Sequence, residues 1–124
     1  MKALLLSIKP QYVDKILRGV KTFEYRRRLA KEDVSIMYIY STAPSMKVVA
    51  AVKVVGKLSD SPARLWEKTK TMSGISRDKY DEYFRGREIA HAYELGEVDI
   101  FEEGRNLSEF GISVAPQSYA YIEI

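Results

Sequence analysis

The feature that most constrains this 124-residue chain lies around Gly96. Before it, Ile89, His91, Tyr93 and Leu95 share one parity of a long extended run. After it, the apolar positions Val98 and Ile100 take the other. Side chains alternate across a strand with a period of two. A flip of the apolar set at a glycine therefore marks a bulge or bend, as strands need when a sheet curls. The chain is expected to build a curled, mostly antiparallel sheet or small open barrel.

The remaining segments supply the other elements. Lys2 to Ile8 reads as a strand, apolar on both faces in its middle and hence buried. Pro10 suits the first position of a helix, and Val13, Ile16 and Leu17, with Tyr12 beside them, recur at helical spacing until Gly19 stops the run. A second strand begins at about Lys21. Val34 to Ser41 sets Val34, Ile36, Tyr38 and Tyr40 against Met37 and Ile39. Lys47 to Lys57 follows, with Val48, Ala50, Val52 and Val54 on one side. Ser61 and Pro62 open a helix that reaches about Lys70, and Ser76 caps a shorter one closed by Gly86. "LSEFG" is a short turn or helix, and Tyr119 to Ile124 is a closing strand. The expected architecture is one α+β domain over 1–124, mostly β: about six strands, a first helix and a short helical insert.

Composition removes several chemistries. There is no cysteine, so no disulfide or thiolate metal site, and His91 is the only histidine. No metal or other cofactor is expected. The seven glycines are scattered and form no phosphate-binding loop. The apolar run Ala3 to Leu6 is far too short for a signal peptide or for a membrane span of about 20 residues. A cytoplasmic chain with no membrane partner is the expectation.

Charge is distributed unevenly. Residues 1–31 carry nine basic side chains against two acidic ones, a surplus of +7, while the whole chain stands at +3. Such asymmetry suits a polyanionic partner, although a merely solvated face has the same composition. Much of the surplus falls in "GVKTFEYRRR", Gly19 to Arg28. Strand alternation turns Phe23 and Tyr25 one way and Glu24 and Arg26 the other, with Lys21 at the strand entrance. An ammonium, a carboxylate and a guanidinium held this close form either a surface ion-pair cluster or a ligand site. In a site, the guanidinium supplies a planar fork, the ammonium a point charge, and the carboxylate an acceptor for an exocyclic amine.

The segment "GVKTFEYR" resembles the G-x-K-x-x-E-x-R signature of the ASCH family, whose members look like PUA domains. "SIKPQYVDKILRG" before it, "YSTAPSMKVVA" after it, "LWEKT…GIS…YDEYFRGR" and "APQSYAYI" extend the similarity to archaeal-type ASCH proteins over nearly the whole chain. The resemblance implies a PUA-like β-barrel, open or closed, with a basic cleft beside the first helix. It implies binding of RNA or a nucleotide, in a setting related to translation or to transcription regulation. Carried onto this chain, the signature positions are Gly19, Lys21, Glu24 and Arg26. Ser7 and Lys9 at the end of the first strand, and Tyr40 and Thr42 at the end of the third, are the expected neighbours in the cleft, with Tyr40 a candidate for stacking on a base.

An enzyme is the alternative. Some small ASCH proteins resemble amidohydrolases that deacetylate N4-acetylcytidine with a Lys, a Thr and a separate Glu. Here Lys21 stands at the Lys position, but Glu24 occupies that of the Thr, and Thr22 lies at another offset. Asp78 and Glu82 are the candidates for the separate carboxylate.

Overall fold

The computed structural model describes residues 1–124. Six strands, β1 (Lys2–Ile8), β2 (Phe23–Arg26), β3 (Ile36–Ser41), β4 (Lys47–Asp60), β5 (Ala90–Arg105) and β6 (Tyr119–Glu123), form one sheet in the order β2-β5-β4-β3-β1-β6. Only β1 and β3 run parallel; every other pair is antiparallel. Helix α1 (Pro10–Leu17) follows β1. Helices α2 (Pro62–Thr69) and α3 (Arg77–Tyr83) form an insert between β4 and β5. The architecture is thus mostly-β α+β, as the sequence predicts. The barrel, however, stays open: β2 and β6 are the two edges of the sheet and do not pair.

The bend at Gly96 is real. Val52 pairs with Val98 and Val54 with Leu95, so Gly96 and Glu97 together oppose Lys53 alone. The extra residue flips the apolar set and increases the local twist. A Cβ there would lie 2.7 Å from Val55 Cγ1, so any side chain at this position requires the valine to shift. A second bulge was not visible in the pattern. Ile39 pairs with Ala50 but Tyr40 with Val48, leaving Val49 unopposed. Val48 and Val52, expected on one side, consequently join different apolar clusters.

Three such clusters hold the fold. The largest lies where α1 meets the sheet and includes Leu4, Leu6, Ile8, Val13, Ile16, Met37 and Ile39. The second, Tyr25, Leu65, Tyr80, Phe84, Ala90 and Ala92, clamps the insert to β2 and β5. The third, around Ala3, Leu5, Tyr40 and Ile122, lies under residues 107–115. Both helices of the insert start as their sequences demand: Ser61 Oγ accepts from Arg64 N–H at 3.3 Å, and Ser76 Oγ accepts from Lys79 N–H at 3.2 Å. Strand β2 is short and covers only His91 to Glu94 of β5.

Candidate functional site

The turn after α1 sets the site. The N–H groups of Val20 and Lys21 both donate to Lys15 O, at 3.1 and 3.2 Å, and swing the chain from helix to edge strand. Thr22 then ties β2 to its neighbours, donating to Met72 O in the insert and accepting from Leu95 N–H. The result is a cavity of about 540 Å³ walled by the β1–α1 junction, β2, and the segment from Ile75 through α3.

Lys21 lines this cavity while only 3% exposed. Its Nζ donates to Ser73 O at 2.6 Å and stands 4.9 Å from the ring centroid of Tyr25 and 5.5 Å from that of Tyr12. Carbonyl and π-faces offset part of the lost hydration, but not all of it. Burial pulls the ammonium down from its ordinary value to about 8; Glu24 works against this shift, and Lys15 and Arg26 add to it.

That shift fixes a pH dependence. Below about pH 8 the ammonium is charged in both folded and unfolded chains, and the desolvation cost is fully present. Between about 8 and 10.5 only the unfolded chain keeps its proton, so stability rises with pH across that window. The gain amounts to about 3 kcal/mol at most, at 1.36 kcal/mol per unit. Denaturant titrations of the wild type and Lys21→Met at pH 7 and pH 10 check it. The wild type is expected to gain relative to the variant, and parallel behaviour of the two proteins contradicts the buried ammonium.

Glu24 and Arg26 form the second device. Arg26 Nε and Nη2 both reach Glu24 Oε2, at 3.1 and 2.9 Å, and Nη2 also donates to Ser7 O at 2.9 Å. Both side chains are nearly buried, so the pair has a fixed geometry that an exposed bridge lacks. Ser7 contributes its carbonyl; its hydroxyl donates elsewhere, to Pro116 O at 2.7 Å. Lys9, at the N-cap of α1, lines the cavity mouth.

The structure therefore brings Ser7, Lys9, Lys21, Glu24 and Arg26 together and leaves two expected neighbours out. Tyr40 is 4% exposed in the third apolar cluster, and neither it nor Thr42 lines the cavity. The parity of β3 explains this: Met37 and Ile39 face α1, so Tyr38 and Tyr40 face the other way. Thr42 only donates its N–H to Ile8 O. In exchange the cavity gains Tyr12, Tyr25, Arg27, Lys79 and Tyr83; Glu82 also lines it, whereas Asp78 does not. Tyr12 and Tyr25 read as apolar-stripe residues in sequence. The insert's share depends on contacts across some fifty residues, such as Lys21 to Ser73, which no local pattern displays.

Fold and site together define the class: a mostly-β α+β domain whose edge strand carries a Gly-x-Lys-x-x-Glu-x-Arg segment to a cavity walled by a helical insert. The chain belongs to the ASCH domain family, whose model matches residues 6–99. It is similar to an ASCH domain-containing ribonuclease of Zymomonas mobilis, 30% identical over 95 residues that make up 76% of this chain and 64% of that protein. It is also similar to the large ribosomal subunit protein uL22 of Ureaplasma parvum, 27% identical over 85 residues, 68% of this chain and 27% of that protein. The chain spans less than two thirds of the length of either curated relative. Among solved structures, the crystal structure of ASCH from Zymomonas mobilis superposes with a TM-score of 0.89 at 25% identity, covering 98% of this chain and 87% of that one.

Proposed function

We propose that the cavity binds single-stranded RNA, taking one nucleotide between α1, β2 and the insert. The observation that carries this reading is Lys21: an ammonium kept almost fully buried at a cavity, at a cost to stability, beside a second cation fixed by an ion pair. Lys9 and Arg26 meet phosphate or a base edge, and Glu24 orients Arg26. The ribonuclease among the relatives supports an RNA context.

Affinity for a mixed single-stranded RNA pool, followed by fluorescence anisotropy, is then expected to fall steeply with salt. Lys9→Gln removes one phosphate contact and makes the logarithmic salt slope shallower by about 0.7. Lys21→Met lowers affinity about tenfold or more, the scale of a lost charge-assisted contact. Unchanged affinity in both variants overturns the site assignment.

A second reading, catalysis at the same place, is favoured by the Lys21 amine, whose pKa of about 8 suits proton transfer near neutral pH. Incubation with labelled RNA, and separately with N4-acetylcytidine, tests it. Strand cleavage or cytidine release that disappears in Lys21→Met supports catalysis; neither product from the wild type rules it out for these substrates.

A further inference from the structure

Two groups in the cavity are only partly engaged by the protein, Glu24 through one of its two oxygens and Arg27 through Tyr83 alone. The first is Glu24 Oε1. Both guanidinium contacts go to Oε2, and no other donor reaches the carboxylate. No fully enclosed side-chain oxygen or nitrogen lacks a hydrogen-bond partner, so Oε1 opens into the cavity that Glu24 lines. Glu24 is nonetheless only 7% exposed. An acceptor this desolvated discriminates: a donor set against it is held tightly, and a carbonyl set against it is repelled.

The second is the guanidinium plane of Arg27. Its Cζ lies 4.3 Å from the Tyr83 ring centroid, its Nε donates to Tyr83 O at 3.0 Å, and its backbone N–H donates to the Tyr83 hydroxyl at 3.2 Å. The Nε hydrogen bond and the ring contact hold the guanidinium against Tyr83, and the backbone bond ties the same two residues together. No other ring of the protein covers Arg27, and both residues line the cavity. A planar cation held this way is a ready platform for a base, which stacks on guanidinium planes as well as on aromatic rings.

We infer that the cavity reads a nucleobase bearing an exocyclic amine, with Glu24 Oε1 accepting from the amine and the Arg27–Tyr83 pair stacking on the ring. This inference rests on the RNA-binding reading above and adds base specificity to it. Cytosine and uracil make the sharpest comparison. They have nearly the same shape, and position 4 carries a donor amine in one and an acceptor carbonyl in the other. The cavity's volume of about 540 Å³ leaves room for a pyrimidine and its sugar.

The experiment is equilibrium binding of oligocytidylate and oligouridylate of equal length, at one salt concentration, to the wild type, Glu24→Gln and Arg27→Lys. The wild type is expected to prefer oligocytidylate by roughly tenfold, the range for one good base-edge contact. Glu24→Gln is nearly isosteric and offers both a donor and an acceptor, so the preference should collapse towards unity. Arg27→Lys keeps the charge but loses the plane. It should weaken both probes by roughly fivefold or more, as a lost stack does, and leave their ratio intact. Being exposed, it also serves where Glu24→Gln proves unstable.

Equal wild-type affinity for the two probes overturns the inference and leaves RNA binding standing. A preference that survives in Glu24→Gln overturns the role of Glu24. Equal loss through Arg27→Gln and Arg27→Lys supports stacking, whereas full retention in Arg27→Lys overturns it. Failure of the wild type to bind either probe removes this inference and the RNA-binding reading together.

Discussion

Replacing Arg26 with methionine is expected to destabilise the protein by about 3–5 kcal/mol, the range for removing one partner of a buried ion pair. The substitution strands a carboxylate that is 7% exposed and leaves Ser7 O without its donor. The cost belongs to the stranded charge and not to any intrinsic worth of the bridge, so the double variant Glu24→Gln with Arg26→Met should recover a large part of it. Four denaturation curves close the cycle. A loss below about 1 kcal/mol in Arg26→Met would place the pair among ordinary surface bridges and remove the rigid geometry on which the site depends. Exposed pairs such as Lys2–Glu32, Arg18–Asp14, Lys53–Glu97 and Arg77–Asp81 lack that burial on either side.

Gly74→Ala is expected to act on the cavity from the opposite wall. Gly74 has φ of +64°, and a Cβ there would lie 2.5 Å from Lys21 Cβ and 2.7 Å from its Cγ. The left-handed backbone alone costs an alanine about 1 kcal/mol, and the clash requires the lysine stem or the insert to shift, for a total of about 2–4 kcal/mol. Gly86 supplies the control. Its φ is +77° but its surroundings are open, so Gly86→Ala should show the backbone cost without loss of RNA affinity. Stability and anisotropy measured on both variants decide the matter. Gly74→Ala with wild-type stability and affinity would mean that the insert does not hold Lys21 in place.

Much of this molecule was legible in its residues. The order and type of elements followed from apolar periodicity, proline and serine caps and stopping glycines, and the Gly96 bend announced itself because the residue that permits it has no side chain. Val49 gave no such notice: a β-branched residue sits at the bulge, so the switch of face between Val48 and Val52 is written only in the pairing with β3. The site divides in the same way. Lys21, Glu24 and Arg26 lie within six residues and share one local geometry, which alternation alone describes. Tyr40, expected beside the cleft from the resemblance, packs in the third apolar cluster, because strand parity does not say which of two apolar faces meets the cavity. Arg27, Lys79 and Tyr83 were missed as cavity walls because the insert returns to β2 only through tertiary packing of Tyr25, Tyr80 and Phe84.

The brevity of β2 has a final consequence. Past Leu95 the outer side of β5 has no neighbouring strand, so its outward main-chain amides and carbonyls are a template onto which another polypeptide could zip. Glu97, Asp99, Glu102 and Glu103 stand along this stretch, and all four are exposed. Like charges brought face to face repel, so two copies meeting along this margin push each other away. Acidic side chains placed along an unpaired strand are the kind of feature that disfavours edge-to-edge growth of a sheet.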